Sequence, residues 1–358
     1  MGDTHRIPQI DTWRFIAVSM VFIAHLITSL NERLSIEIVP AILRHGAFGH
    51  LGVLIFFFIS GFVICRGLMV EQAAFATISL KAFYIRRAFR IVPALYLYLA
   101  VVGFIVYMGW VETGLRQLIK SALFLCNMDK GGGGCGWVAG HTWSLAYEEQ
   151  FYLLFPILFM VLGLVAHPRL LLALLLVMVS ASIGLRAQGF SWFANYINYM
   201  IFLLTGCAAA LYWHRLSHWI RKVSVTNWMM ALVALIAFII FLPAQLELYV
   251  MTVIYPLLIG LLVLGTPVSH PMVRRVFHHP TIAYLGKISY SVYLWQQLAT
   301  CPFPAISPWW TFLFVLGVWP FAHYSYKYFE RPLIVFAGKW SEEIQNRALV
   351  GRCKAYTN

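Results

Sequence analysis

Long apolar runs separated by short polar hairpins make up almost the whole chain. Runs long enough to cross a bilayer fall near residues 10–30, 50–69, 91–110, 145–166, 169–187, 196–213, 227–243, 249–266, 282–300 and 308–328. Each is close to the ~20 residues that a membrane helix requires. The pattern predicts an all-α integral membrane protein of about ten transmembrane helices. Breaks such as His167-Pro168-Arg169 leave room only for tight hairpins. An even number of crossings puts both termini on one side. With the N-terminus taken as cytoplasmic, the 26 Lys and Arg sort eighteen to inside segments and six to outside ones, with Arg14 and Lys287 in or beside helices. That bias predicts cytoplasmic N- and C-termini. No internal repeat and no long linker interrupts the chain, so residues 1–335 read as a single polytopic domain. Residues 336–358 read as a short, charged cytoplasmic tail.

Composition narrows the class. Of the 358 residues, 61% are hydrophobic and 11% charged, against about 25% charged in a soluble domain. A soluble globular fold is excluded. The formal charge of +13 belongs, in a polytopic protein, to cytoplasmic loops; no nucleic-acid partner is expected, and membrane lipid is. Thirteen Trp and eighteen Tyr suit interfacial belts and a carbohydrate-facing cavity equally. Arg14 interrupts the first run and no small-residue cleavage site follows, so the N-terminal segment does not read as a cleavable signal peptide. The six cysteines show no metal-ligand spacing, and no metal is expected. Cys65 and Cys207 fall in apolar runs as packing residues. Cys126 and Cys135 flank a glycine-rich stretch and would pair if it faces an oxidising compartment; spacing alone leaves this open. The tract Gly131 to Gly136 has no phosphate-loop Lys after it and reads as a mobile lid or a plain loop.

Four stretches carry polar chemistry where a simple anchor would have none. In the first helix, Arg14 and His25 are separated by ten residues of which only Ser19 is polar. A charge in hydrocarbon costs about 2.5–3.5 kcal/mol even on the permissive insertion scale. Their spacing is close to three turns, so both lie on one face, about 16 Å apart along the axis. His25, held neutral by its apolar surroundings, has the properties of a general base. Arg86, Arg87 and Arg90 enter the third helix from the cytoplasmic side. Their three- and four-residue spacings put at least one pair on a shared face. They fit either phosphate recognition or anchoring beside anionic lipid. His141-Thr-Trp-Ser-Leu-Ala-Tyr-Glu148-Glu149 opens the fourth helix from the outer side. Adjacent residues point about 100° apart, so one carboxylate should face inward and the other find a partner, unless one only answers the helix dipole. Ser289, Tyr290, Ser291 and Tyr293 make the start of the ninth helix rich in hydroxyls, for which helix packing is a sufficient reason.

Taken together these stretches resemble the membrane-bound acyltransferase-3 family. The matching pieces are Asp11-Thr-Trp-Arg14 through His25, Phe57-Phe-Ile-Ser-Gly-Phe62, Arg86-Arg-Ala-Phe-Arg-Ile-Val-Pro93, Thr142 through Tyr152, Ile288 through Trp295, and Glu330-Arg-Pro332. The resemblance covers about residues 8 to 335. It implies a multi-pass enzyme of the bacterial inner membrane that moves an acyl group from cytosolic acyl-CoA, most commonly acetyl-CoA, to a hydroxyl of an exported glycan or lipid-linked sugar. It marks Arg14, His25, Arg87 and Arg90 as functional, with the acidic position on Glu148. Two departures stand out. Gln296 follows Leu-Trp where many members have His. Nothing in the chain answers to the extracytoplasmic hydrolase-like domain fused to longer members, so relay to a distant acceptor within one protein is not expected.

The resulting expectation places acyl-CoA phosphates on Arg86, Arg87 and Arg90. His25, Glu148 and Arg14 form the catalytic set, and Glu149, Trp143 and Tyr290 face the acceptor. The rival class is a transporter or flippase for an acyl group or small anion, since intramembrane Arg, His and Glu also mark transport pathways. The lack of a repeat and of Gly/Pro-broken helix pairs speaks against it.

Overall fold

A computed structural model describes residues 7–34, 47–128, 134–241, 244–301 and 308–357. Arg6, Arg44, Lys130 and Gly131 to Gly133 of the glycine tract lie outside them. Among the described residues the secondary structure is helical, with no strand. In chain order the helices are α1 (Pro8–Leu34), α2 (Ala47–Phe75), α3 (Leu80–Tyr107), α4 (Leu115–Ala122), α5 (Gly136–Gly140), α6 (Thr142–Val161), α7 (Arg169–Ala187) and α8 (Ser191–Leu211). They continue as α9 (Trp213–Ile220), α10 (Val225–Phe241), α11 (Ala244–Leu264), α12 (Pro271–Phe277), α13 (Pro280–Lys287), α14 (Ser289–Ala299) and α15 (Pro308–Ser325). A π-helical turn (Tyr326–Glu330) then leads into α16 (Arg331–Thr357).

Five of these helices are long and apolar enough to span a membrane: α1 over Gln9–Asn31, then α2, α3, α7 and α8. A sixth candidate combines α9 and α10, which meet at 106°. Large apolar side chains point outward, as on α7 (Leu176, 70% exposed) and α10 (Met230, 65% exposed). Water would penalise such faces and lipid does not. The protein is a multi-pass membrane protein.

The described residues fall into two compact units, the first comprising residues up to Arg66 together with Leu162–Ser289, the second Gly67–Val161 with Tyr290 onward. In the first unit, α1 lies against α13 so closely that a Cβ on Gly286 would come within 1.8 Å of the Asp11 carbonyl oxygen. Trp13 fixes α1 in depth: its indole donates to Thr266 Oγ1 at 2.8 Å, and its ring meets Trp228 and Phe277. Thr12 donates to the Phe277 carbonyl at 2.9 Å. Helices α2 and α8 cross backbone to backbone, since Cβ atoms at Gly61 and Gly206 would sit 1.8 Å from the Leu203 oxygen and 2.1 Å from the Phe58 oxygen. Small residues at the crossing are the usual solution in lipid, where helices gain nothing by hiding apolar surface from their solvent. Buried Asn198 joins α7, α8 and α11 by accepting from Ser182 at 2.5 Å and Thr252 at 3.0 Å.

In the second unit α3 is the organising element. Ser79 caps its N-terminus by accepting from the Ala82 N–H at 3.3 Å. Glu71 accepts from the Ser79 N–H at 2.8 Å and pairs with Arg86 at 2.6 Å. Helix α16 lies along α3: Arg86 also donates to Ser341, and Phe89 packs between Phe336 and Trp340. Helix α3 runs antiparallel to the α5–α6 stretch, with Tyr84 donating to the Leu153 carbonyl of α6 and Tyr98 to the Val138 carbonyl of α5. Cys126 and Cys135 form a disulfide.

Two segments differ from the hydropathy pattern in where their helices begin or end. The third run begins at Leu80 rather than near residue 91, so Arg86, Arg87 and Arg90 lie within the helix instead of at its mouth. The last run does not stop near 328; its helix continues through the π turn to Thr357, across the expected boundary at residue 335.

Candidate functional site

The antiparallel register of α3 and α6 decides what the second unit brings together. With Tyr84 level with Leu153 and Tyr98 level with Val138, Arg87 falls level with the Glu148–Tyr152 turn. The Arg87 guanidinium carbon lies 5.6 Å from the Tyr152 ring centroid and 5.7 Å from that of Phe83. Tyr152, one helical turn after Glu148, donates its hydroxyl to Glu148 Oε2 at 3.0 Å. The arginines expected at the cytoplasmic mouth and the carboxylates expected at the outer mouth therefore share one level of the second unit. The separation between them read from the sequence is corrected by the register of the two helices.

The two carboxylates divide their roles as adjacent helical positions require. Glu148 is held by Tyr152. Glu149 Oε1 is buried and has no hydrogen-bond partner among the described residues; its carboxyl lies in the electrostatic field of Glu148 and Arg87. Tyr290 stands in the field of Glu330, both adjacent carboxylates and Arg90, and donates its hydroxyl to the Ile91 carbonyl at 2.8 Å. Glu330, beyond the last predicted span, is 4% exposed. It accepts a 3.3 Å hydrogen bond from Ser325.

Other predicted residues sit elsewhere. Arg86 is engaged by Glu71 and by Ser341 of α16. Trp143 packs against the disulfide and meets Tyr147 edge-on. Arg14 and His25 belong to the first unit, both half-buried on an unbroken α1. Val18 and Val21, which share their face, are buried, so the polar pair frames an apolar middle.

Tyr152 and Glu71 were missed by reasoning from sequence. Tyr152 stood inside the matched motif, four residues after Glu148, and that spacing was the available signal. A buried network above the cluster was also missed. Tyr293 donates to the His141 carbonyl at 2.6 Å and meets Ser144 Oγ at 2.7 Å, while the His141 ring lies against Tyr98 and Tyr293. Among the described residues no group of three or more His, Cys, Asp or Glu is placed to hold a metal ion.

Chemically, an arginine between aromatic faces keeps its charge in low dielectric. It can hold a phosphate or polarise a carbonyl. A buried carboxylate oxygen without a donor can accept one from an incoming hydroxyl.

The chain is 26% identical to the peptidoglycan O-acetyltransferase OatA of Listeria monocytogenes, over 91% of this chain and 56% of that protein. It is 27% identical to a putative O-acetyltransferase of Staphylococcus aureus, over 81% of this chain and 50% of that one. An uncharacterized protein of Haemophilus influenzae is 39% identical over 29% of the chain. The chain thus spans about half the length of the first two relatives. No solved structure matches it. The family model described as an acyltransferase domain matches residues 7–338, nearly the whole chain, which belongs to the acyltransferase-3 family.

Proposed function

We propose that the protein is an O-acyltransferase of the bacterial inner membrane. It takes an acyl group, acetyl in the simplest case, from cytosolic acyl-CoA and gives it to a sugar hydroxyl of a glycan or lipid-linked precursor. Ten spans with both termini cytoplasmic complete this reading, and residues 1–335 form the acyltransferase domain. The observation that carries it is the meeting of Arg87, Tyr152, Glu148 and Glu149 at one level of the second unit. The Listeria relative's name supports a glycan acceptor.

Arg87 and Arg90 hold the anionic part of acyl-CoA, and Arg14 steadies the thioester carbonyl. Glu149 accepts a hydrogen bond from the sugar, and Glu148 is oriented by Tyr152. His25 removes the proton from the attacking hydroxyl. A C–O bond forms to the thioester carbon, the C–S bond breaks, and the proton passes to the departing CoA thiolate. The products are the sugar ester and free CoA.

The test is release of free CoA by purified protein given acetyl-CoA and a glycan acceptor. His25→Ala should lower acyl transfer by roughly 10²–10⁴ while remaining folded and inserted. Arg87→Ala should raise the KM for acetyl-CoA more than it lowers kcat. Near-normal transfer by His25→Ala would remove the base from this scheme. Acyl groups crossing a vesicle membrane without CoA release would favour the transporter instead.

A further inference from the structure

A second polar site lies in the first unit, with no part in the scheme above. The hairpin between α6 and α7 and the junction of α8 with α9 enclose a cleft of about 750 Å³, lined among others by His167, Arg169, Tyr212, His214 and Arg215. Its lining carries no carboxylate. Two separate segments thus bring exposed basic side chains to the lining of one concavity.

The neighbouring helix says at what depth this cleft sits. Helix α9 follows the candidate span α8 directly and meets the apolar α10 at 106°. A short helix set nearly perpendicular to its apolar successor fits a position along the bilayer surface. Its sequence fits that position. At 100° per residue, Trp213, Leu216, Trp219 and Ile220 fall on one continuous arc, while His214, Arg215, Ser217 and His218 fall on the opposite one. Arg221 and Lys222 extend the polar arc. Trp219 is 70% exposed, and the Lys222 ammonium sits 5.5 Å from its ring centroid. Arg66 closes over Trp213 at 5.7 Å and ties α9 to α2. An amphipathic helix with Trp on one face and cations on the other is built for the headgroup region.

We propose that this cleft binds the phosphate headgroup of an anionic membrane phospholipid. Arg169 and Arg215 form charge-assisted hydrogen bonds to the phosphodiester oxygens. Tyr212 and the two histidines contact the rest of the headgroup, for which a cleft of this size leaves room. The acyl chains run into the bilayer beside α9. The site depends on membrane insertion and not on acyl transfer, so it stands or falls separately from the proposed enzyme activity.

The experiment presents delipidated protein with equal amounts of phosphatidylglycerol and phosphatidylcholine and measures the lipids retained by mass spectrometry. Wild-type protein should retain phosphatidylglycerol preferentially. The Arg169→Gln/Arg215→Gln variant should lose that preference by up to about thirtyfold, or about 2 kcal/mol at 1.4 kcal/mol per tenfold, the contribution expected of two basic residues at an anionic surface. Arg221→Gln/Lys222→Gln, on the same polar arc but outside the cleft lining, should keep most of it. Equal retention of both lipids by the wild type overturns the proposal. An equal loss in both variants also overturns it, because it assigns the effect to general surface charge. Millimolar inorganic phosphate or desulfo-CoA is added to the wild type in a separate arm that needs no variant. Displacement of phosphatidylglycerol by either would assign the cleft to a soluble phosphate compound and overturn the lipid source.

Discussion

Arg87 carries its charge between two ring faces, Phe83 and Tyr152, and Tyr152 also grips Glu148. One side chain therefore serves the cation with its face and the carboxylate with its hydroxyl. Tyr152→Phe separates the two functions. It keeps the ring under Arg87 and removes the hydrogen bond, so kcat should fall by roughly ten- to a hundredfold, in line with about 1.5–3 kcal/mol for a bond to a charged group. The KM for acetyl-CoA should hardly move. Tyr152→Ala should change both. Steady-state kinetics with varied donor decides between them. Arg87, Arg90 and Glu148 were legible in the sequence because charged residues stand out in apolar runs. Their meeting was not, since spacing within one helix fixes a shared face but says nothing about register against another helix.

At the scale of elements, α1, α2, α8 and α13 depend on glycine where backbones touch. Gly61→Val would drive a side chain into the Leu203 carbonyl, whereas Gly67, six residues along the same helix, has open space around it. Thermal unfolding in detergent should show Gly61→Val destabilised by about 1–3 kcal/mol or more. Gly67→Ala should be neutral or stabilised by up to about 1 kcal/mol. Hydropathy located the five helices that are long and apolar enough to span a membrane, since lipid selects for unbroken apolar length. It misplaced the start of α3, because an apolar window closes at the first cluster of arginines even when a partner such as Glu71 lets the helix continue. The break at Ile288, which divides the ninth run into α13 and α14, was not drawn from hydropathy, because the run averages over Gly286, Lys287 and Ser289 at that point.

For the molecule as a whole, the disulfide between Cys126 and Cys135 closes a loop of sequence separation 9 next to Ala139 and Trp143. Cross-linking a loop of that length contributes about 2–3 kcal/mol on the chain-entropy account. Replacing both cysteines with Ser should lower the unfolding temperature, and a reducing agent should reproduce the loss in the parent protein but not in the variant. The π turn has a different consequence. Ser325 meets Glu330 across five residues, the spacing that this wide turn supplies and an ordinary α-helical turn does not. Deleting one residue from the first α-helical turn that follows the π turn, Arg331–Ile334, would rotate the rest of α16 by about 100° about its axis. Ser341, Phe336 and Trp340 would then turn away from Arg86 and Phe89, although each remained in the sequence. In this stretch the fold is more sensitive to chain length than to side-chain identity: single conservative replacements should still give an inserted protein by size-exclusion chromatography, and a one-residue deletion should not.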